Sequence, residues 1–353
     1  MPRIAVYTIA LDEIHFAERW ATSVREADYL MVADTGSKDG TQQALKNLGV
    51  NVFEIGVKPW RFDDARNVAM GLLPHDVDVC LSMDMDELMA PGWRQELENA
   101  WTDQTTRLRY TYVHSFDSND QPLISYGADK CHARWGYRWK RPVHETVFAV
   151  ADETMVTNMN VIMWQKQDTS KGTRGQYLPL LELSHKENSD CAQTLFWLAR
   201  EYAYQNKNEQ AIEHFKKFIR LPHAWSTEKS EAERWLSRLL PSDKIYWLRQ
   251  SIASAPYRRE PWLELADHYY HAGDWLNCYA ASAEAIKITH KTGSYLDTAE
   301  SWGSKPYDLA GIACWNLGLK TISAEHFTRA VELNPNDDRI KNNLAIVQSQ
   351  IGE

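Results

Sequence analysis

A chain of 353 residues is long enough for two domains, and 44% apolar with 25% charged residues suits a well-packed folded protein. A net charge of −9 argues against a protein held to nucleic acid mainly by charge, while leaving room for a local basic patch. Five cysteines without CxxC spacing suggest neither zinc nor a disulfide framework; with no apolar run of signal-peptide or membrane-spanning length, a cytoplasmic protein is expected.

Residues 4–10 are almost continuously apolar, which reads as a strand buried on both faces. Residues 12–26 follow with helical spacing of Ile14, Trp20, Ala21 and Val24. A second strand, 29–33, runs into Asp34-Thr-Gly-Ser-Lys-Asp-Gly-Thr41, a turn rich in glycine and side-chain oxygens. A helix over 41–48 stops at Gly49. Residues 50–55 form a third strand, 62–72 a helix capped by Asp63 or Asp64, and 77–82 a fourth strand. That strand ends in Asp84-Met-Asp-Glu87. In an extended strand positions i and i+2 share a side, so Asp84 and Asp86 would converge. Converging carboxylates need a cation or a donor cluster between them, and oxygen ligands of this kind suit Mg2+ or Mn2+. The alternative is a solvated acidic turn that caps the next helix. Strands alternating with helices imply a Rossmann-like sheet, which binds ligands at the carboxyl ends of its strands, where Asp34 and Asp84 lie.

From Arg107 the pattern changes to strands over 108–116, 130–135 and 143–149. The segment Trp135-Gly-Tyr-Arg-Trp-Lys-Arg-Pro142 is aromatic and basic together, and 166–175 reads as a mobile polar loop. Beyond Asp190 everything is helical and repeats itself. Ala211-Ile-Glu-His-Phe-Lys-Lys-Phe-Ile-Arg-Leu-Pro222 is echoed at 245–256, 279–288 and 323–335, and Pro222 and Pro256 stand 34 positions apart, the length of a tetratricopeptide helix pair. Residues 191–347 resemble that family, with 291–304 as an insertion and Trp197, Trp262 and Tyr269 expected in the core.

In the first half, Ala33-Asp-Thr-Gly-Ser-Lys-Asp-Gly-Thr41, Ala65-Arg-Asn67 and Asp84-Met-Asp-Glu87, in that order, resemble family 2 glycosyltransferases of the GT-A fold. The likeness is to the branch with C-terminal tetratricopeptide repeats, which includes peptide S-glycosyltransferases. The resemblance implies an α/β GT-A domain with a Rossmann-like mixed sheet over 1–190, then an all-α tetratricopeptide-like domain over 191–353. It implies metal-dependent, inverting transfer from a nucleotide-sugar, UDP-linked, to an acceptor that the sequence leaves open among protein or peptide, glycan, nucleobase and small molecule. Asp34 would hold the uracil, its bland alternative being an Asx turn. Glu13 matches an acidic position after the first strand; Leu11 stands where the family usually has Asn, which leaves backbone contacts from Thr8 to Leu11, Ala10 among them. Arg66 would meet the diphosphate or pair with Asp63 or Asp64, and Asn67 is structural. Asp86 would bind Mn2+ or Mg2+ directly, with Asp84 at the ribose or the metal's water shell, Glu87 behind them, and His185, ahead of His144, as third metal ligand. Glu145 would be the base that takes the acceptor's proton, or else a partner of Arg141 or Lys140. Two other functions compete. One is an inactive scaffold whose repeats bind partner proteins. The other is a nucleotidyltransferase, for which Thr8-Ile-Ala-Leu-Asp-Glu13 is a poor loop. Repeat arrays bind peptides or dimerise, so a protein acceptor or a homodimer is the prior.

Overall fold

The computed structural model describes residues 1–117, 120–166 and 174–351. The chain divides into two compact units, Met1–Ser189 and Asp190–Glu353. No helix among the described residues is long and apolar enough to cross a membrane.

The first unit runs β1 (Ile4–Ala10), α1 (Ile14–Ser23), β2 (Tyr29–Asp34), α2 (Thr41–Asn47), β3 (Asn51–Glu54), α3 (Phe62–Gly71), β4 (Val79–Ser82), β5 (Glu87–Met89), α4 (Trp93–Ala100), β6 (Arg107–Phe116), β7 (Pro122–Ala133), β8 (Tyr137–Lys140), β9 (Thr146–Ala149), β10 (Met155–Gln165) and α5 (Tyr177–Glu187). Among the described residues, eight strands form one sheet in the order β3-β2-β1-β4-β7-β6-β10-β5, and β8 and β9 form a separate hairpin. The half built from β3, β2, β1 and β4 is parallel; β7 then pairs antiparallel with β4, and the sheet is mixed from there on. β1 lies between β2 and β4, which explains its unbroken apolar run. Ile4 and Val6 enter a core with Phe16, Trp20 and Trp93, while Ala5 and Tyr7 enter a second core with Ala69, Leu73 and Trp139.

Two sequence expectations shift at this level, and a third falls largely beyond what is described. Residues 143–149 are not one strand: 141–145 form the turn of the β8–β9 hairpin, and only Thr146–Ala149 pairs. Asp63 and Asp64 sit in the first turn of α3 rather than at its cap, which is Arg61. The expected loop 166–175 falls largely outside the described residues.

The second unit is helical: α6 (Ala192–Tyr204), α7 (Asn208–Phe218), α8 (Ser226–Leu239), α9 (Lys244–Ser254), α10 (Glu260–His271), α11 (Trp275–Lys287), α12 (Ala299–Trp302), α13 (Lys305–Asn316), α14 (Lys320–Leu333) and α15 (Asp338–Ser349). Helices pack as consecutive pairs, the arrangement the 34-residue spacing implies. Close approach is built in at Gly311, where an added Cβ would come within 2.9 Å of the Phe327 ring. The core holds Leu195, Phe196, Phe215, Leu263 and Ala266. Trp197, Trp262 and Tyr269 are only half-buried. Trp197 instead stacks on Tyr295 of the insertion, 5.5 Å between centroids at 18°. That insertion is folded against the earlier repeats. The Tyr295 hydroxyl donates to Glu228 at 2.5 Å, and buried Arg258 donates to the carbonyls of Thr227 and Leu296 and to Glu231.

Candidate functional site

The carboxyl ends of β1 and β2 lie side by side, Ala10 opposite Asp34. The loops that leave them are stitched together. Asp12 N donates to Ser37 Oγ, Lys38 N to Asp12 Oδ1, Glu13 N to Thr41 Oγ1 and Ile14 N to Asp39 Oδ2, at 2.7–3.0 Å. α1 thus has no side-chain cap of its own; the neighbouring loop supplies acceptors for its first free N–H groups. Burial would raise Asp39, but hydrogen bonds from Thr41 and Ile14 outweigh it and hold its carboxyl low. Asp34 is fully buried, and its carboxylate accepts from Gly36 N and Ser37 N at 2.9 Å, Gln42 Nε2 at 2.7 Å and Ser37 Oγ at 2.5 Å. Of the two roles open to Asp34, this geometry has the features of the turn: three donors converge on Oδ1 and one on Oδ2, all from residues 36–42. The Ala10 carbonyl is likewise taken, by Thr35 N and Thr35 Oγ1.

At the end of β4 the chain does not stay extended. Glu87 N donates to Asp84 O at 3.0 Å, and the Glu87 carboxylate accepts from Asp84 N at 2.7 Å, closing a tight turn into β5. Asp84 and Asp86 are therefore not same-face residues of a strand, although their charges still sense each other. Burial, then the Asp84 charge, pushes the Asp86 carboxyl up. Asp86 accepts from Gln165 Nε2 at 3.3 Å.

The charges that do converge come from four segments. Arg66, on α3, donates from Nη2 to Asp84 Oδ1 at 2.6 Å and from Nε to Glu145 Oε1 at 2.5 Å. Its partners are these two, not Asp63 or Asp64, which Arg61 engages instead. Lys130, on β7, places Nζ 3.4 Å from Asp84 Oδ2 and 3.1 Å from Glu87 Oε1. Burial alone would pull Arg66 and Lys130 down; Asp84 with Glu145, and Asp84 with Glu87, hold both cations above their ordinary values. Burial would likewise raise Asp84, but Arg66 and then Lys130 keep it well below the carboxylate range. Glu87 is pushed up by burial, against the pull of Lys130, and accepts from the Tyr112 hydroxyl at 2.9 Å. Arg66 Nη1 is buried without a hydrogen-bond partner.

The platform under Arg66 is Trp139, 5.0 Å from the guanidinium carbon. Asn67 fixes that residue's backbone with two 2.9 Å hydrogen bonds, the structural role expected of it. The Trp139 ring N–H donates to the Tyr7 hydroxyl at 2.8 Å, which donates to His132 Nε2 at 3.0 Å; His132 Nδ1 donates to the Ala133 carbonyl. Burial pulls His132 down to about 4, so the ring is neutral and both nitrogens are used. Glu145 follows a turn in which Arg141 and His144 both have positive φ, 85° and 49°, and Phe62 N anchors that turn on the Pro142 carbonyl at 3.0 Å. Lys130, Tyr7, His132 and Trp139 were not legible as site residues, since nothing local marks them. His185 lies half-buried in the last turn of α5, a helix tied to α3 through Arg61 and Glu187, and the His144 ring lies 5.7 Å from that of Tyr177.

Among the described residues no group of three or more His, Cys, Asp or Glu is placed to hold a metal ion. The donor chemistry agrees: both Asp84 oxygens are taken by protein cations. As arranged, Asp84, Asp86 and His185 do not fit a divalent cation.

Residues 192–222, spanning α6 and α7, match the tetratricopeptide repeat family model. No curated protein sequence matches the chain. Solved structures similar to it include MamA (20% identity over 49% of this chain and 98% of that chain, TM-score 0.37). Others are TTC0263, a thermophilic tetratricopeptide protein in Thermus thermophilus (17%, 50% and 91%, 0.33), and YrrB, described as a tetratricopeptide protein with an unusual peptide-binding site (12%, 49% and 84%, 0.37).

Proposed function

We propose that the first unit transfers a sugar from a nucleotide-sugar, UDP-linked, to an acceptor, and that the repeats bind a protein partner. The observation that carries the first part is the buried Arg66 guanidinium, clasped between Asp84 and Glu145 with Nη1 left over. A fixed, desolvated cation with an unused donor is suited to a developing phosphate charge. It lies beside the end of β4, in the region of the sheet where α/β proteins bind ligands. In this reading Glu145 accepts the acceptor's proton, and Arg66 turns its remaining donor to the leaving diphosphate. Asp34 enters as the residue that holds the β2 loop in shape rather than as a direct base contact. The second part rests on the tetratricopeptide match at 192–222.

The test is UDP binding by calorimetry, with and without Mn2+, followed by a screen of UDP-sugars for hydrolysis and transfer. Glu145→Gln should leave UDP binding near normal and lower transfer by about two to four powers of ten. A protein that binds no UDP under either condition would be a scaffold, and the transfer reading would fall.

A further inference from the structure

The basic, aromatic segment singled out in the sequence is resolved by the β8–β9 hairpin into two faces. Tyr137, Trp139 and Val147 point inward and are buried. Arg138, Lys140 and Phe148 point outward and are exposed, with Arg138 directly opposite Phe148 in the register. Lys140 Nζ and the Arg141 guanidinium lie 5.1 and 5.0 Å from the Phe148 ring centroid. Arg138 has no hydrogen bond or ion pair among the described residues, and Lys140 only its contact with the ring. From Arg134 to Phe148 there are four Arg or Lys and one carboxylate, in a chain whose net charge is −9. That carboxylate, Glu145, is already neutralised by Arg66. Trp135, 59% exposed and carrying the Arg134 guanidinium 4.1 Å from its ring, stands just before β8.

We infer that the outer face of this hairpin is a docking surface for single-stranded nucleic acid. Arg138 and Lys140, which meet no carboxylate among the described residues, stand beside an exposed aromatic ring and match a strand that offers phosphates and stackable bases together. An acidic polypeptide would meet only the cations, whereas a strand also offers a base to stack on the exposed part of the Phe148 ring that Lys140 and Arg141 border, so the nucleic acid is favoured. The turn joining the two strands carries Glu145, whose carboxylate meets the buried Arg66, so the face belongs to the same hairpin as the base of the proposed transfer. Treating the nucleic acid as the acceptor rests on that proposal; the binding itself does not.

The experiment is fluorescence anisotropy of the full-length protein with a short, mixed-sequence, fluorescein-labelled oligodeoxynucleotide, at about 50 and about 200 mM salt, without any nucleotide-sugar. Binding that weakens with salt is expected. Phe148→Ala should weaken it roughly tenfold through lost stacking. Arg138→Gln with Lys140→Gln should flatten the salt slope by about 1.4, two phosphate contacts at roughly 0.7 each. Circular dichroism of these exposed-site variants checks that they are folded. No binding at low salt, or variants that bind like the wild type, would overturn the inference. So would labelled polyglutamate binding as tightly as the oligonucleotide and ignoring Phe148→Ala, which would make the face a dock for acidic protein. Because no UDP-sugar is present, a failure here leaves the transfer reading standing, and failed UDP binding leaves this surface standing.

Discussion

Replacing Arg66 with Met removes the cation shared by Asp84 and Glu145 and keeps most of the side-chain volume. The two carboxylates are unequally exposed: the Asp84 side chain is 36% exposed, that of Glu145 10%. Asp84 also keeps Lys130 and is partly screened by solvent, so little of the loss should come from it. Glu145 loses its cation in a dry setting, where breaking one partner of a buried pair costs about 3–5 kcal/mol. Arg66→Met should therefore cost about 3 kcal/mol, and Glu145→Gln alone about 1 kcal/mol, since the amide oxygen can still accept from Arg66 Nε. In the Arg66→Met background the second change should reverse sign and recover about 1–2 kcal/mol, because no buried charge is left alone. The pH dependence follows from Asp84. Its folded carboxyl is held low, so its stabilisation is complete above the unfolded pKa and is lost as pH falls through the folded value. Arg66→Met should therefore flatten the acid limb only in part, because Lys130 still holds Asp84 low. Urea unfolding of the four proteins, followed by tryptophan fluorescence at neutral and acid pH, reads all of this. A double variant less stable than Arg66→Met would refute the description of Arg66 as the counter-charge of Glu145.

Three further outcomes are expected. Lys130→Met removes the cation that competes for Asp84 and Glu87, so Mn2+ affinity, read from paramagnetic broadening, should rise; unchanged affinity would show that Asp84 takes no part in metal binding. His132, lowered to about 4, should show no imidazole titration by NMR near pH 6.5. Its unfolded form takes up a proton first, so stability should fall as pH drops from about 6.5 towards 4, and a normal titration would contradict the Tyr7–His132 arrangement. Gly311→Ala gains up to about 1 kcal/mol of helix propensity but drives a methyl into the Phe327 ring, at a cost of about 1–3 kcal/mol, so thermal unfolding should move to lower temperature. An unchanged or higher melting temperature would mean the helices can separate at no cost.

Where the sequence misled, the cause was a local rule overridden by a distant contact. The strand-face argument for Asp84 and Asp86 failed because Glu87 reaches back to Asp84 N and bends the chain. Asp34 was expected to contact the ligand, but Gln42 and Ser37 engage its carboxylate from within its own loop. Trp197 looked like core by its helix pattern, yet an insertion about a hundred residues later in the chain supplies the ring it stacks on.

The sequence by itself determined what depends on neighbours along the chain. The helix pairs of the second unit follow from a 34-residue repeat of apolar positions, because each pair buries its face against the next. The strand–helix alternation up to Ser82 follows from runs of apolar residues closed by glycine and side-chain oxygens. Tertiary structure alone decided which charges meet. Arg66 and Glu145 are 79 positions apart, Lys130 and Asp84 46, and no spacing rule connects them. They meet because β7 inserts beside β4 and the β8–β9 hairpin folds onto α3, and strand order in a sheet is set by the whole core rather than by any one segment.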